Sequence, residues 1–232
     1  MKLKDIKYIL TDIEGTTSSV QFVFDTLFPY FRNNIGMLKS MTSNLEVQKA
    51  FKQTVELASE LENKKLHSVD DIINSLHRWS EEDRKLTPLK TVQGILWATG
   101  YESGELKGHV YPDVKPAFIR WKEQGIDIGI FSSGSIAAQK QIFGFSEEGD
   151  LTTNLSHYFD TTTGGKRDVE TYNKISTELQ LNPNEILFLS DIHQELEAAD
   201  EAGFKTVQLV REGTEANWEH TVVDFSQIIF NK

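Results

Sequence analysis

From Tyr111 onward the chain alternates short apolar runs with amphipathic stretches, and that alternation leaves few ways to fold. Asp113-Val114-Lys115-Pro116 opens a helix that carries Ala117, Phe118 and Trp121 and closes at Gly125. Ile126–Phe131 reads as a strand, Ser132–Ser135 leads into a second helix, and Tyr158-Phe159 marks a short strand. Val169, Tyr172, Ile175 and Leu179 recur at helical spacing before Asn182-Pro183. Ile186–Leu189 is a buried strand, and a helix closed by Gly203 leads to the strand Thr206–Val210. Strand and helix repeated in this way predict an α/β fold, a parallel sheet covered by helices. A further strand, Tyr8–Thr11, stands near the start of the chain.

Between that first strand and Tyr111 the pattern is helical. Phe22–Lys39 is rich in aromatic and aliphatic residues, with Pro29 kinking or breaking it. Val47, Phe51, Val55, Ala58 and Leu61 trace one helix face. Ser68-Val69-Asp70-Asp71 reads as an N-cap with an acid three residues on. Thr87-Pro88 reads as an N-cap followed by proline at the first helical position, with Gly100 as the stop. The expected organisation is a core of residues 1–19 and 106–232, interrupted by a helical domain of residues 20–105.

Three of the apolar strands end in polar signatures: Asp12 and Glu14, Ser132 and Ser133, and Ser190 and Asp191. In open parallel sheets the functional crevice lies outside the carboxyl ends of the strands, so residues far apart in sequence meet at one edge. Lys166, after Gly164-Gly165, sits on a loop that could reach the same edge. Taken singly, each group has a plainer reading. Asp12-Ile13-Glu14 could be a solvated turn, Ser132–Ser135 and Asp191 could cap helices, and Lys166 could be a surface lysine. Those readings leave the shared placement unexplained.

Residue type supplies the chemistry. Carboxylates about 4 Å apart repel by roughly 4 kcal/mol per pair at an effective dielectric near 20. A divalent cation relieves this, and an all-oxygen site suits magnesium, which takes one or two carboxylates plus substrate phosphate. Hydroxyls and backbone N–H groups at a helix start seat a phosphate, and a lysine adds a compact positive charge. The set describes phosphoryl transfer with an aspartate as nucleophile.

Composition narrows the field. The 232 residues carry a formal net charge of -11 with no long basic run, which argues against nucleic acid or an acidic membrane surface as partner. There are no cysteines, which removes disulfides, thiolate nucleophiles and cysteine-bound metal. No apolar stretch approaches a membrane span, and Met1–Asp5 opens no secretory signal, so a cytoplasmic protein is expected.

Asp12-Ile13-Glu14-Gly15-Thr16, Ser132-Ser133-Gly134, Lys166 and Ser190-Asp191, in that order, resemble the four motifs of the haloacid dehalogenase-like hydrolases. The first motif there reads D-x-D, and Glu14 departs from it. That departure, with Phe22–Tyr30, Leu89–Trp97, Gly100-Tyr101, Val110–Val114, Glu195-Leu196 and Ala198-Ala199, is similar to the enolase-phosphatases of methionine salvage. Arg211-Glu212-Gly213 stands where that family has Arg-Pro-Gly.

The resemblance implies a Rossmann-like core with helices on both faces and an inserted all-helical cap. It implies a magnesium-dependent conversion of 2,3-diketo-5-methylthiopentyl-1-phosphate, first enolised and then dephosphorylated, to an acireductone. Asp12 is then the nucleophile and a magnesium ligand, with one ion per subunit. Glu14 supplies a further magnesium ligand, through its backbone carbonyl, and its side chain is the general acid and base. Ser132, Ser133 and Lys166 bind phosphate, and Asp191 completes the metal site. A small phosphorylated substrate and a monomer are expected, without nucleic acid or membrane partners. The alternative is a phosphatase of another small ester without the enolase step. The enolisation base stays open, with Lys90 a candidate or a surface lysine. Trp97, Tyr101, Phe22 and Phe24 either line a pocket for the methylthio group or pack a core.

Overall fold

The computed structural model describes residues 2–230. The chain divides into two compact units, Met1–Val20 with Lys107–Lys232, and Gln21–Leu106. Its strands are β1 (Lys2–Leu3), β2 (Tyr8–Thr11), β3 (Asp127–Phe131), β4 (His157–Phe159), β5 (Ile186–Ser190), β6 (Lys205–Leu209), β7 (Thr221–Val222) and β8 (Ile229–Phe230). Its α-helices are α1 (Val20–Phe22), α2 (Phe28–Asn34), α3 (Leu45–Glu62), α4 (Val69–Glu81), α5 (Thr87–Ser103), α6 (Val114–Glu123), α7 (Ile136–Gly144), α8 (Val169–Leu179) and α9 (His193–Glu201).

In the first unit, six strands form one sheet in the order β4-β3-β2-β5-β6-β7, with every pair parallel. Strand β2 is central, and all four of its residues are buried. A run such as Tyr-Ile-Leu-Thr suits that place, because a strand covered on both faces needs no polar alternation. Tyr8 and Leu10 join Phe131, Phe188, Tyr172 and Ile175 of α8, and Leu196 and Ala199 of α9 in one apolar cluster. Helix α6 packs on β3, and its Phe118 and Trp121 lie fully buried against Phe225. β1 and β8 pair separately, parallel to each other. That pairing of chain ends lies between two-residue segments too short to carry a periodic signal.

Register places the site. Thr11 lies opposite both Ile130 and Leu189, so the chain leaves β2, β3 and β5 at nearly one level. The order of the strands also reverses at β2: β3 and β4 lie on one side, β5 to β7 on the other. Such a reversal opens the crevice in which doubly wound sheets bind ligands.

The second unit is helical, with a core that includes Phe31, Val47, Phe51, Leu76, Trp79, Val92 and Leu96. Caps follow local chemistry. Asn44 accepts from the N–H groups of Glu46 and Val47 to start α3, and Ser68 and Asp71 form a reciprocal capping box at α4. Glu62 accepts from Trp79 Nε1 at 2.6 Å and ion-pairs with Arg78 and Arg84, joining α3 to α4. The stretch around Pro29 is not one continuous α-helix. A π-turn over Val23–Leu27 precedes α2, with the Phe28 N–H bonded to the Val23 carbonyl. Proline lacks the N–H that would continue the α pattern, and the wider turn accommodates its ring.

Two expected helix boundaries differ in α5. Its N-cap is Leu86 rather than Thr87, and it runs through Gly100 to Ser103, ending at Gly104 with φ +79°. Gly100 serves packing instead of termination: a Cβ there would lie 2.6 Å from Tyr30 Cζ and 2.8 Å from Leu106 Cδ1. Trp97 donates to the Leu27 carbonyl at 2.8 Å and stacks on Phe28, and Tyr101 is buried. Both therefore pack within the helical unit. Phe24 is 51% exposed, Phe22 is half-buried and Lys90 is exposed on α5.

Candidate active site

Asp12 is the first residue after β2, and its N–H extends the ladder by bonding the Leu189 carbonyl at 2.9 Å. The side chain turns back, so that Oδ1 accepts from the Ile13 N–H at 2.7 Å and from Lys166 Nζ at 2.7 Å. Thr17 Oγ1 donates to the Asp12 carbonyl at 3.1 Å, which closes the following loop on itself. Lys166, its side chain 10% exposed, reaches a second carboxylate, Glu195 Oε2, at 2.6 Å. Burial works against its charge, but Asp12 and Glu195 outweigh it and hold the pKa of Lys166 above the usual lysine value. Tyr172, in the sheet core, donates to the Lys166 carbonyl at 2.6 Å and so fixes the loop that carries the lysine.

Glu14 lies two residues beyond Asp12 and accepts from Ser132 Oγ at 3.3 Å. Ser132 is fully buried at the end of β3, and its Oγ accepts from the Gly134 N–H at 3.1 Å. Burial first, and Asp12 second, push the Glu14 carboxyl above the ordinary carboxylate range. Ser133 is exposed at the same turn, beside this contact, and Ser135 rather than Ser133 caps α7.

Gly15 brings the two ends of the cluster together. It holds φ +73°, and a Cβ at its position would lie 2.5 Å from Asp191 Cγ. Glycine is therefore required twice, by the backbone conformation and by the close approach of a carboxylate. Asp191 follows β5, and burial, then Asp12, raise its pKa to about 7. Glu195, in the first turn of α9, is raised to about 7 by the same two causes, with Lys166 opposing. Ser190 Oγ donates to Glu195 Oε2 at 2.9 Å and accepts from the Ile192 N–H at 3.1 Å.

The structure thus pairs Asp12 with Lys166 and Glu14 with Ser132 through direct contacts, brings Asp191 against Gly15, and leaves Ser133 beside them without a contact of its own among the described residues. It also adds Glu195. An acid in the first turn of a helix is ordinary favourable placement next to the helix dipole, which conceals this one in the sequence. The available signal is that Ser190, Asp191 and Glu195 follow a single strand closely enough to share its mouth.

A cation fits this donor set. Four carboxyl groups crowd around Lys166, three of them with upward-shifted pKa values that a nearby positive charge would relieve. Asp191 Oδ1 is buried without a hydrogen-bond partner. Among the described residues no three His, Asp or Glu side chains converge tightly enough to hold an ion by themselves. Asp12 and Asp191 would supply side-chain oxygens and Glu14 its backbone carbonyl, a pattern that suits magnesium, which keeps several other positions for water and phosphate.

Comparison with known proteins agrees with this geometry. Residues 6–203 match the sequence profile of the haloacid dehalogenase-like hydrolases. Enolase-phosphatase E1 of a Picosynechococcus strain is 50% identical over 224 residues, covering 96% of this chain and 98% of that protein. Its namesake from Pseudomonas aeruginosa is 48% identical over 225 residues, covering 97% and 98%. The chain belongs to the enolase-phosphatase family of haloacid dehalogenase-like hydrolases. The crystal structure of the yeast UTR4 protein (Saccharomyces cerevisiae) superposes with a TM-score of 0.78 at 30% identity, over 96% of this chain and 99% of that one. As a haloacid dehalogenase-like hydrolase the chain is an enzyme, a phosphatase by family. Among the described residues no helix is long and apolar enough to cross a membrane.

The least predictable part of this enolase-phosphatase fold is the anchor beneath its first loop. Arg211, 8% exposed, donates from Nε and Nη2 to the Thr16 carbonyl at 3.1 and 2.9 Å. It grips both carboxylate oxygens of Asp113 at 3.0 and 2.8 Å and reaches the Val223 carbonyl at 3.2 Å. Its guanidinium carbon lies 4.2 Å from the centre of the Tyr111 ring. Five donors in a rigid plane make this arrangement possible for arginine and not for lysine.

Proposed function

We propose that the protein is a magnesium-dependent enolase-phosphatase. Its substrate would be 2,3-diketo-5-methylthiopentyl-1-phosphate, enolised and then dephosphorylated to the acireductone 1,2-dihydroxy-3-keto-5-methylthiopentene and inorganic phosphate, within methionine salvage. The reading rests on one pairing: Asp12 is ion-paired with Lys166, while Glu14, two residues on, meets Ser132 and is pushed above the ordinary carboxylate range by burial and by Asp12. Neighbouring acids in opposed environments divide the roles of nucleophile and proton donor. The names of the chain-long relatives support the particular substrate.

In the proposed reaction an Asp12 carboxylate oxygen attacks phosphorus, and the ester oxygen leaves as Glu14 gives up its proton. The resulting aspartyl phosphate is hydrolysed by water, from which Glu14 now takes a proton, and Asp12 is regenerated. Lys166 balances charge on the nucleophile and the phosphoryl oxygens. Ser132 and Ser133, with the Gly134 N–H, would seat the phosphate. Magnesium, on which such hydrolases generally depend, would be held by Asp12, Asp191 and the Glu14 carbonyl and would neutralise developing charge on oxygen. The inserted helical unit is assigned the role of a substrate-selecting cap, and the protein is assigned as a cytoplasmic monomer.

The deciding experiment supplies magnesium and the diketo phosphate, follows the enol optically and measures free phosphate. An enol signal together with phosphate release is expected. Phosphate release without an enol signal would favour a plain phosphatase of another small ester. In the same assay Asp12→Asn should abolish phosphate release, and unchanged release would remove Asp12 as nucleophile.

A further inference from the structure

Asp12, Glu14 and Glu195 are each held by a neighbouring side chain, whereas Asp191 Oδ1 is buried without a hydrogen-bond partner. The aim of the Asp191 carboxyl therefore depends on how firmly its backbone is fixed. Gln208 does that fixing. It lies on β6 opposite Ser190 of β5, and it is completely buried. Its Nε2 donates to the Asp191 carbonyl at 2.9 Å, the Glu215 carbonyl at 3.1 Å and Asn217 Oδ1 at 2.8 Å. Its Oε1 accepts from the Asn217 N–H at 3.0 Å.

The orientation of that amide follows from its neighbours, since Nε2 faces three acceptors and Oε1 faces a donor. Two hydrogens shared among three acceptors leave no donor capacity unused. Asn217 Nδ2 in turn meets His193 Nδ1 at 3.1 Å. The segment around Asn217 is thus tied to residues 191–193 at two points, one of them through Gln208. Behind it, the Gln208 N–H bonds the His220 carbonyl at 2.8 Å, anchoring the network in the sheet.

We propose that Gln208 is a positioning residue for the metal site: it holds the Asp191 backbone, with Asn217 as its brace, so that the Asp191 carboxylate is presented to a divalent cation already oriented. This rests on the reading of Asp191 as a magnesium ligand. Outer contacts that orient a ligand are worth about 10–100-fold in metal affinity or activity. Residue Gln208 touches neither phosphate nor metal under this proposal.

The test titrates magnesium chloride alone into the metal-free full-length protein by calorimetry, with thermal unfolding measured in parallel. Gln208→Met keeps the length and removes every side-chain hydrogen bond, and its magnesium dissociation constant should rise about 10-fold or more. Asn217→Ala, at a less buried site, should weaken binding in the same direction. It decides alone if Gln208→Met does not fold. A merely structural role would lower the unfolding midpoint and leave the dissociation constant where it was, and that result overturns the proposal. Wild-type protein that takes up no magnesium would overturn the metal reading, and the proposal with it. Wild-type binding with unchanged variants overturns the proposal alone.

Discussion

Replacing Gly15 by alanine makes a demanding test of the site, because two separate costs can be read from the structure. The first is conformational. At φ +73° an alanine pays about 1–2 kcal/mol for its Cβ against the neighbouring carbonyl. The second is steric and specific to the site. The added Cβ would lie 2.5 Å from Asp191 Cγ, against ordinary contact at 3.4 Å and beyond, so the carboxyl must retreat by roughly 1 Å. A displacement of that size at a reacting centre costs on the order of 100-fold in rate. Gly125→Ala separates the two costs. Gly125 holds φ +78° in the same unit, and a Cβ added there would meet nothing within 4 Å. Gly125→Ala should lose about 1–2 kcal/mol in urea unfolding and Gly15→Ala at least as much, but Gly15→Ala alone should lose about 100-fold in phosphate release. Equal activities in the two variants would refute the argument that Asp191 must stand against Gly15.

Three further outcomes follow from the same geometry. Lys166→Met leaves Asp12 and Glu195 without their shared cation; it should abolish turnover and, with both acids ionised, cost about 3–5 kcal/mol in urea unfolding. Gly100→Ala improves helix propensity by up to about 1 kcal/mol, yet overpacking against Tyr30 and Leu106 costs about 1–3 kcal/mol, so a lower unfolding midpoint is expected on calorimetry. Magnesium at about 100 times its dissociation constant should stabilise the protein by about 2.7 kcal/mol, read as a rise in melting temperature that excess chelator reverses.

Much of the core was legible because its strands are continuously apolar and its helices carry clear periodicity. β2, β3, β5 and β6 end within a residue or two of where the patterns place them. The edge of the sheet was legible for the same reason, since a polar group directly after an apolar strand has one direction to go. Glycines were read less well. Gly100 and Gly104 look alike in sequence, but the first admits a tyrosine ring and the second turns the chain at φ +79°. Glu195 and Gln208 escaped because their roles depend on partners brought in by β5, β6 and the segment after them. A glutamine inside a strand carries no periodic or capping signal of its own.

Arg211 bears on how the molecule is made. Residues 21–106 are contiguous and enclose their own apolar core, so all the residues of that core are present once this stretch is synthesised. Asp12 is made earlier still, but its strand needs β3 and β5 as neighbours, and its loop is secured at Thr16 by a residue 195 positions later. Such long-range closures are slow, because chain entropy is spent before the contacts form. The surroundings of Asp12 are therefore complete only when nearly the whole polypeptide exists. A chain ending before Arg211 would lack the guanidinium that secures the Thr16 carbonyl, so the loop after Asp12 gains its last anchor late.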